Sequence, residues 1–404
     1  MAQSTAANQA SISSGPSSRV IFDEAIDKTD AEAEFDATGW PPKGRFTVSP
    51  RATQAYVDFN KRLWTDFGMV YVLAPTAMLQ KGTQGGKQDY TANGQYQGLF
   101  AWRLLNKTRI GTGYFVANNL KVKQWTDTTG VDFSQSLGIN YFSSDSVGDV
   151  DVVKALLWRH DFPGDILTMW IGHDEIGALD GGCSYLCDDT SSFISSPLSN
   201  NPTRTLPGQG GMLSAEVQLF NNVFLDAAIA DARGNGQVNF SRLSHEEYAY
   251  AGALTVRDPF ATRGDGFYRL TYYRVDETYK GTSRQQAATE GISIQMEQDI
   301  GDVGFTTRYS QTFKRKGSID KTAAVGLVWK KPFGNDEDWL GLGFGWVRPT
   351  AASTNDEYVA ETYYRMQLTP FLQLTPGAML IINPSNNPNN NTEGVFNVRL
   401  RGHF

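Results

Sequence analysis

The chain has 404 residues, of which 20% are charged and 12% aromatic, with 40 glycines and a net charge of −7 at neutral pH. That acidic balance, with no long basic cluster to offset it, argues against a nucleic-acid binder. No stretch approaches the about 20 uninterrupted apolar residues of a membrane-spanning helix, which leaves either roughly two or three ordinary domains or one large all-β body.

Residues 1–48 read as a leader, small and polar in MAQSTAANQASISSGPSS and then acidic in FDEAIDKTDAEAEFDATGWPPKG. It lacks the charged-then-apolar pattern of an export signal. Either the chain is not exported or it starts at a processed end with an added Met, and the remainder of the sequence favours the mature, processed form. Such a composition predicts disorder, with pore plugging and cell-wall contact as functional alternatives. Residues 49–66 predict one short amphipathic helix. Ser49 is placed to cap it, Pro50 suits its first position, and Gly68 can end it. Tyr56, Phe59 and Leu63 recur at helical spacing on one face. Packing against the body is the expected role, a plug or periplasmic foot the functional variant.

From Phe67 to Phe404 the helical signal largely disappears and period-two alternation takes over, interrupted by Gly, Asn, Asp and Pro clusters. In FTTRYSQTFK, Phe305, Tyr309 and Phe313 oppose Thr306, Arg308, Ser310 and Lys314. In FYRLTYYR, Tyr268, Leu270 and Tyr272 oppose Arg269, Thr271 and Tyr273, and YYRMQLTP and ISIQME repeat the pattern. The segments run longer than strands of soluble sheets, aromatics gather near their ends, and the polar faces carry Arg and Glu at strand centres. These three features predict a transmembrane antiparallel β-barrel rather than a soluble sandwich. Sixteen or seventeen segments can be counted, and the even number, sixteen, suits a single-chain barrel wide enough for an aqueous channel.

Alternation assigns Arg103, Arg159, Arg269, Arg308, Arg365 and Arg399 to the inner face, with Asp161, Glu216 and Glu297 as counter-charges. Each could face a solute or pair within the wall. Sugar hydroxyls accept from guanidinium groups and donate to carboxylates, and their CH faces rest on aromatic rings, so such a lining would hold sugars weakly enough to release them. Cys183 and Cys187, in GGCSYLCDD, are too few for a zinc site and lack a nearby His. A small loop disulfide is expected, which points to an oxidising compartment; two free thiols are the alternative. The long segment that carries them, from Asp174 to Gly210, is the candidate to fold inward or cap the pore. Only four His are present, no Gly-x-Ser-x-Gly occurs, and GLGFG sits inside a strand rather than between strand and helix. Neither an enzyme nor a cofactor is expected.

At ETYYRMQLTPFLQLTPGAMLIINPSNNP the chain resembles the penultimate hairpin of OprB-type carbohydrate-selective porins, through Tyr364, Arg365, Gln367, Leu368, Thr369 and Pro370, then Leu372, Gln373, Leu374 and Pro376, then Ile381 to Pro384. The closing RLRGHF is similar to that family's last strand. The resemblance implies a 16-stranded outer-membrane porin passing sugars by diffusion, with arginines at its constriction. Expected partners are outer-membrane lipid, lipopolysaccharide, small sugars and the barrel-assembly machinery, which reads a C-terminal strand ending in Phe. The oligomeric state is not readable. A barrel for polysaccharide export and a secreted β-rich carbohydrate-binding protein are the competing readings.

Overall fold

A strand that is apolar on one face and polar on the other must keep the two faces in different surroundings. In a bilayer it must also pair every backbone group, which only a closed sheet achieves. The computed structural model describes residues 42–404 apart from 85–88, 140–147, 165, 178–183, 187–188, 205, 242, 244–245, 261–264, 281–282, 287, 315–318, 352–354 and 388. Cys183, Cys187 and most of the leader lie outside the described residues.

The strands are β1 (Met69–Gly82), β2 (Tyr90–Thr108), β3 (Gly111–Gln124), β4 (Val150–Asp161), β5 (Leu167–Asp174), β6 (Gly210–Phe220), β7 (Val223–Asp231), β8 (Tyr248–Arg257) and β9 (Gly266–Val275). A small hairpin, β10 (Thr278–Lys280) and β11 (Ser283–Gln286), stands apart from the barrel. The series resumes with β12 (Thr289–Ile300), β13 (Val303–Lys314), β14 (Ile319–Lys330), β15 (Trp339–Pro349), β16 (Glu357–Thr369), β17 (Leu372–Ile382) and β18 (Thr392–Gly402). The other sixteen strands form one closed barrel in which β1 pairs with both β2 and β18.

All barrel pairings are antiparallel, and the seam runs from Thr76↔Arg401 to Gly82↔Val395. Beyond it, Leu73 and Phe404 exchange both backbone hydrogen bonds, at 2.8 and 2.9 Å. The last strand shows the sorting of side chains. Phe396, Val398 and Leu400 are 60%, 45% and 41% exposed on the outside, whereas Asn397 and Arg399 are 3% and 0% exposed inside. An arginine on the outer face at the bilayer midplane would cost about 2–4 kcal/mol, which fixes the register of every strand that carries one.

The two rims differ. One joins strands through 109–110, 221–222, 301–302 and 370–371; the other through 125–149, 175–209, 232–247 and 276–288. Short turns mark the periplasmic side of such barrels and long loops the external side.

Helix α1 (Pro50–Phe67) starts with Pro and ends at Gly68, whose left-handed backbone (φ 65°) lets its N–H reach the carbonyls of Leu63 and Trp64. Ser49 occupies the N-cap position without a side-chain capping bond. Helix α2 (Gly130–Leu137), which the sequence reading missed, opens with a capping box of Thr129 and Asp132. It buries Phe133 and Leu137 among Met78, Val395 and Ile381 at the long-loop rim. One short turn of helix, α3 (Ser196–Ser199), lies inside the long loop.

Candidate functional site

The inner face divides into two sectors. Over β12–β18 the wall is covered by the segment 184–204, which enters from the connection between β5 and β6. Small residues make the space for it. At Gly343 an added Cβ would lie 2.7 Å from Phe193 and 2.8 Å from Leu198, and at Gly304 only 2.4 Å from the Tyr185 ring. Gly343 of the GLGFG strand β15 and Gly304 of β13 are therefore sites of close packing.

Polar groups of the wall then satisfy the backbone of the buried loop, as burial requires. Glu297 accepts from the N–H groups of Ser184 (2.7 Å) and Tyr185 (3.1 Å). Glu361 accepts from those of Ile194 (2.6 Å) and Ser195 (2.9 Å). Arg308 donates to the carbonyls of Pro197 (3.1 Å) and Asn200, and Arg399 to that of Asp189 (2.5 Å). Arg365 lies 3.5 Å from the centre of the Trp339 ring. Arg365, 9% exposed, lies against Trp339 of the wall itself, whereas Arg308 and Arg399, only 2% and 0% exposed, and Glu297 lie on the inward face but beneath the loop. Their geometry is that of staples.

The second sector, β2–β9, carries arginines laid on aromatic rings. Arg103 sits 4.2 Å over Trp64, the residue through which α1 packs onto an apolar patch of Val70, Leu99, Ala101 and Tyr114. Arg159 lies 4.8 Å over Trp170 and 5.8 Å over Tyr114, and its Nε donates to Asp161 at 2.8 Å. Asp161 also accepts from Thr168 at 3.0 Å. Arg257 lies 3.8 Å over Phe224 and pairs with Glu216 at 2.5 Å. Arg269 donates to Thr255 at 3.0 Å and lies 4.9 Å from the Phe267 ring. Stacking and pairing hold each guanidinium plane in place.

Arg257 was missed from the sequence, although it shares inward parity with Thr255 in YAGALTVR. Glu361 was missed too, inside the very stretch that carries the family resemblance. Among the described residues no group of three or more His, Cys, Asp or Glu side chains forms a metal-binding set.

At the short-turn rim the segment before α1 is strapped to the barrel. The N–H groups of Arg45 and Phe46 donate to the carbonyls of Gln367 (3.0 Å) and Leu368 (2.7 Å). The Arg45 side chain pairs with Asp338, in the turn between β14 and β15. Burial pushes the Asp338 carboxyl up. Hydrogen bonds from the Tyr364 hydroxyl, Arg45 and the Gln367 N–H outweigh it and hold the group below the usual carboxylate range. Tyr56 of α1 meets Phe371 edge-on at 5.2 Å, and Phe371 stacks on the terminal Phe404 at 5.8 Å.

A family model described as carbohydrate-selective porin, OprB family, matches residues 193–404. Among curated proteins, the chain is 26% identical over 311 residues to the porin AaxA of Chlamydia pneumoniae, covering 74% of this chain and 69% of that protein. The Chlamydia felis porin AaxA is 24% identical, covering 74% and 68%. Among solved structures, Pseudomonas putida OprB at high pH superposes with a TM-score of 0.68 at 14% identity, covering 90% of this chain and 99% of that one. Salmonella typhi OmpF gives 0.53 at 11% identity, with 83% and 97% covered.

Proposed function

The chain belongs to the carbohydrate-selective porin, OprB family, and on that premise we propose that this outer-membrane channel passes small sugars into the periplasm by diffusion, with Arg103, Arg159, Arg257 and Arg269 lining the route. The observation that supports this reading is the stacked and paired state of those guanidinium groups. Each ring covers one face of a cation and fixes the plane in which its N–H groups lie. Asp161 and Glu216 stand beside them as acceptors. Hydroxyl groups thus meet donors and acceptors at fixed positions, while partial charge compensation keeps binding weak, as passage requires. Aromatic surfaces at Phe224 and Phe267 offer platforms for the CH faces of a sugar ring.

The test is a current recording in planar lipid bilayers after refolding, with glucose added in steps. The reading expects an open-channel current that falls in discrete, concentration-dependent blocks. A folded channel whose current is indifferent to sugars overturns it. The proposal treats flow as passive, in the direction of the concentration gradient, and needs no separate export role.

A further inference from the structure

Charge is distributed unevenly at the short-turn end of the lumen. Arg103, Arg159, Arg257 and Arg269 stand there with Asp161, Glu216 and Asp226, the last opposite Glu216 in the β6–β7 register. Two further guanidinium groups come from β16 and β18, since Arg365 shares parity with the buried Glu361, and Arg401 with the buried Arg399. Six guanidinium groups thus meet three carboxylates. Among the described residues, the other inward charges beside them offset each other. Lys330 pairs with Asp299, and Arg308 and Arg399 are matched by Glu297 and Glu361. Internal pairing therefore leaves this mouth cationic in a chain whose net charge is −7. A cavity lined by one sign of charge within low-dielectric walls concentrates the opposite charge.

The matching surplus lies in the same chain. From Asp23 to Asp36 the sequence DEAIDKTDAEAEFD sets seven carboxylates against Lys28 alone. The chain that follows is fixed to the cationic mouth itself. Arg45 and Phe46 bond to the carbonyls of Gln367 and Leu368, two and three residues beyond Arg365 on β16. Gly44 is pressed onto the end of that strand, where an added Cβ would lie 2.3 Å from Thr369 Cα. Asp36 precedes Gly44 by eight residues, a span of at most about 29 Å when extended. Arg365 is four residues from Thr369, roughly 13 Å along the strand. The acidic stretch therefore starts within reach of the guanidinium groups, and its tether sets an effective concentration on the order of millimolar.

We propose that residues 23–36 dock on this cationic end of the lumen from the short-turn side, as a tethered acidic ligand that narrows the route and competes with solute for the guanidinium groups. The inference rests on arginines lining the route, as in the channel reading above, and does not require sugar to be the solute. Exposed ion pairs are individually weak and screened by salt. Low salt therefore fills the docked state and high salt empties it.

The test compares the wild type in planar bilayers with a full-length variant whose seven carboxylates between residues 23 and 36 are replaced by amides (Asp→Asn, Glu→Gln). Every barrel residue stays unchanged. At about 0.1 M KCl, where charges act over about 10 Å, the variant is expected to conduct about twofold more than the wild type. At about 1 M KCl, where that length falls to about 3 Å, the two conductances converge. A synthetic peptide of residues 23–36 then blocks the variant from the short-turn side alone. An acidic tail outside the lumen would instead feed cations to the mouth, so neutralising it would lower the current. That result, equal conductance at low salt, or a peptide without sided block overturns the docking. Glucose block of the wild type is read separately: its absence removes the sugar and leaves the docking standing.

Discussion

The two sectors of the inner wall are made of the same residue types, at the same parity of the same kind of strand, yet they hold different things. Over β12–β18, Arg308, Arg399, Glu297 and Glu361 end on backbone groups of a buried loop. Over β2–β9, Arg159 and Arg257 end on carboxylates and rings of the wall itself. The difference teaches that an inward arginine is not thereby a pore residue. What decides its role is whether a backbone segment with unmet hydrogen bonds has been placed over it. The glycines at 304, 326, 343 and 345 are where that decision was made, because only a wall without side chains admits Tyr185, Phe193, Pro197 and Leu198.

The comparison can be broken most forcefully at Glu361. Glu361→Ala leaves two buried N–H groups without their acceptor, an expected loss of about 2–4 kcal/mol. It should appear as a lower midpoint in denaturant unfolding followed by heat-modifiable gel migration, with raised and noisier conductance. An unchanged midpoint would mean that the loop is held by packing alone. Next in size, Gly343→Leu forces a side chain against Phe193 and Leu198 and should cost about 1–3 kcal/mol through overpacking, with a shift in conductance of the same origin. A smaller stability effect is expected on the open wall. Arg257→Ala removes a pair whose arginine is 43% exposed, so its loss should move stability by less than about 1 kcal/mol while it weakens sugar block and lowers anion preference in reversal-potential measurements.

The smallest effect concerns the rim strap. The Asp338 carboxyl has a lowered folded-state pKa. Its contribution is therefore complete above the ordinary Asp value of about 3.9, and is lost as pH falls further through the lowered one. Amide protection factors at Arg45 and Phe46 should hold down to about pH 4 and then decline. Asp338→Asn should show weaker protection already at neutral pH, with no such transition.

Much of this fold was legible in the sequence because alternation is a direct record of two environments. Phe396, Val398 and Leu400 against Asn397 and Arg399 could be sorted by parity alone, and the sorting holds in space. Parity also turned every predicted arginine inward. It could not separate Arg308 from Arg159, since that distinction depends on where a loop distant in sequence comes to rest, and loop placement leaves no periodic trace. Helix α2 left a readable signal, Thr129 with Asp132 ahead of Phe133 and Leu137, but it is short and was hidden within a long connection. Glu361 was unreadable as a clamp, because its partners Ile194 and Ser195 are known only from the fold. The glycines of GLGFG could be read as small residues facing a lumen or as close packing against the helix; what packs on Gly343 is Phe193 and Leu198 of the long loop.

The most direct test of the division between the sectors is a paired single-channel recording, with glucose titrated onto Arg257→Ala and Arg308→Ala under identical conditions. The account predicts that Arg257→Ala keeps its conductance and loses sugar block, while Arg308→Ala gains conductance and noise as the loop loosens from the wall. The opposite pattern, a quiet Arg308→Ala channel that has lost sugar block beside an Arg257→Ala channel that has kept it, would contradict the account.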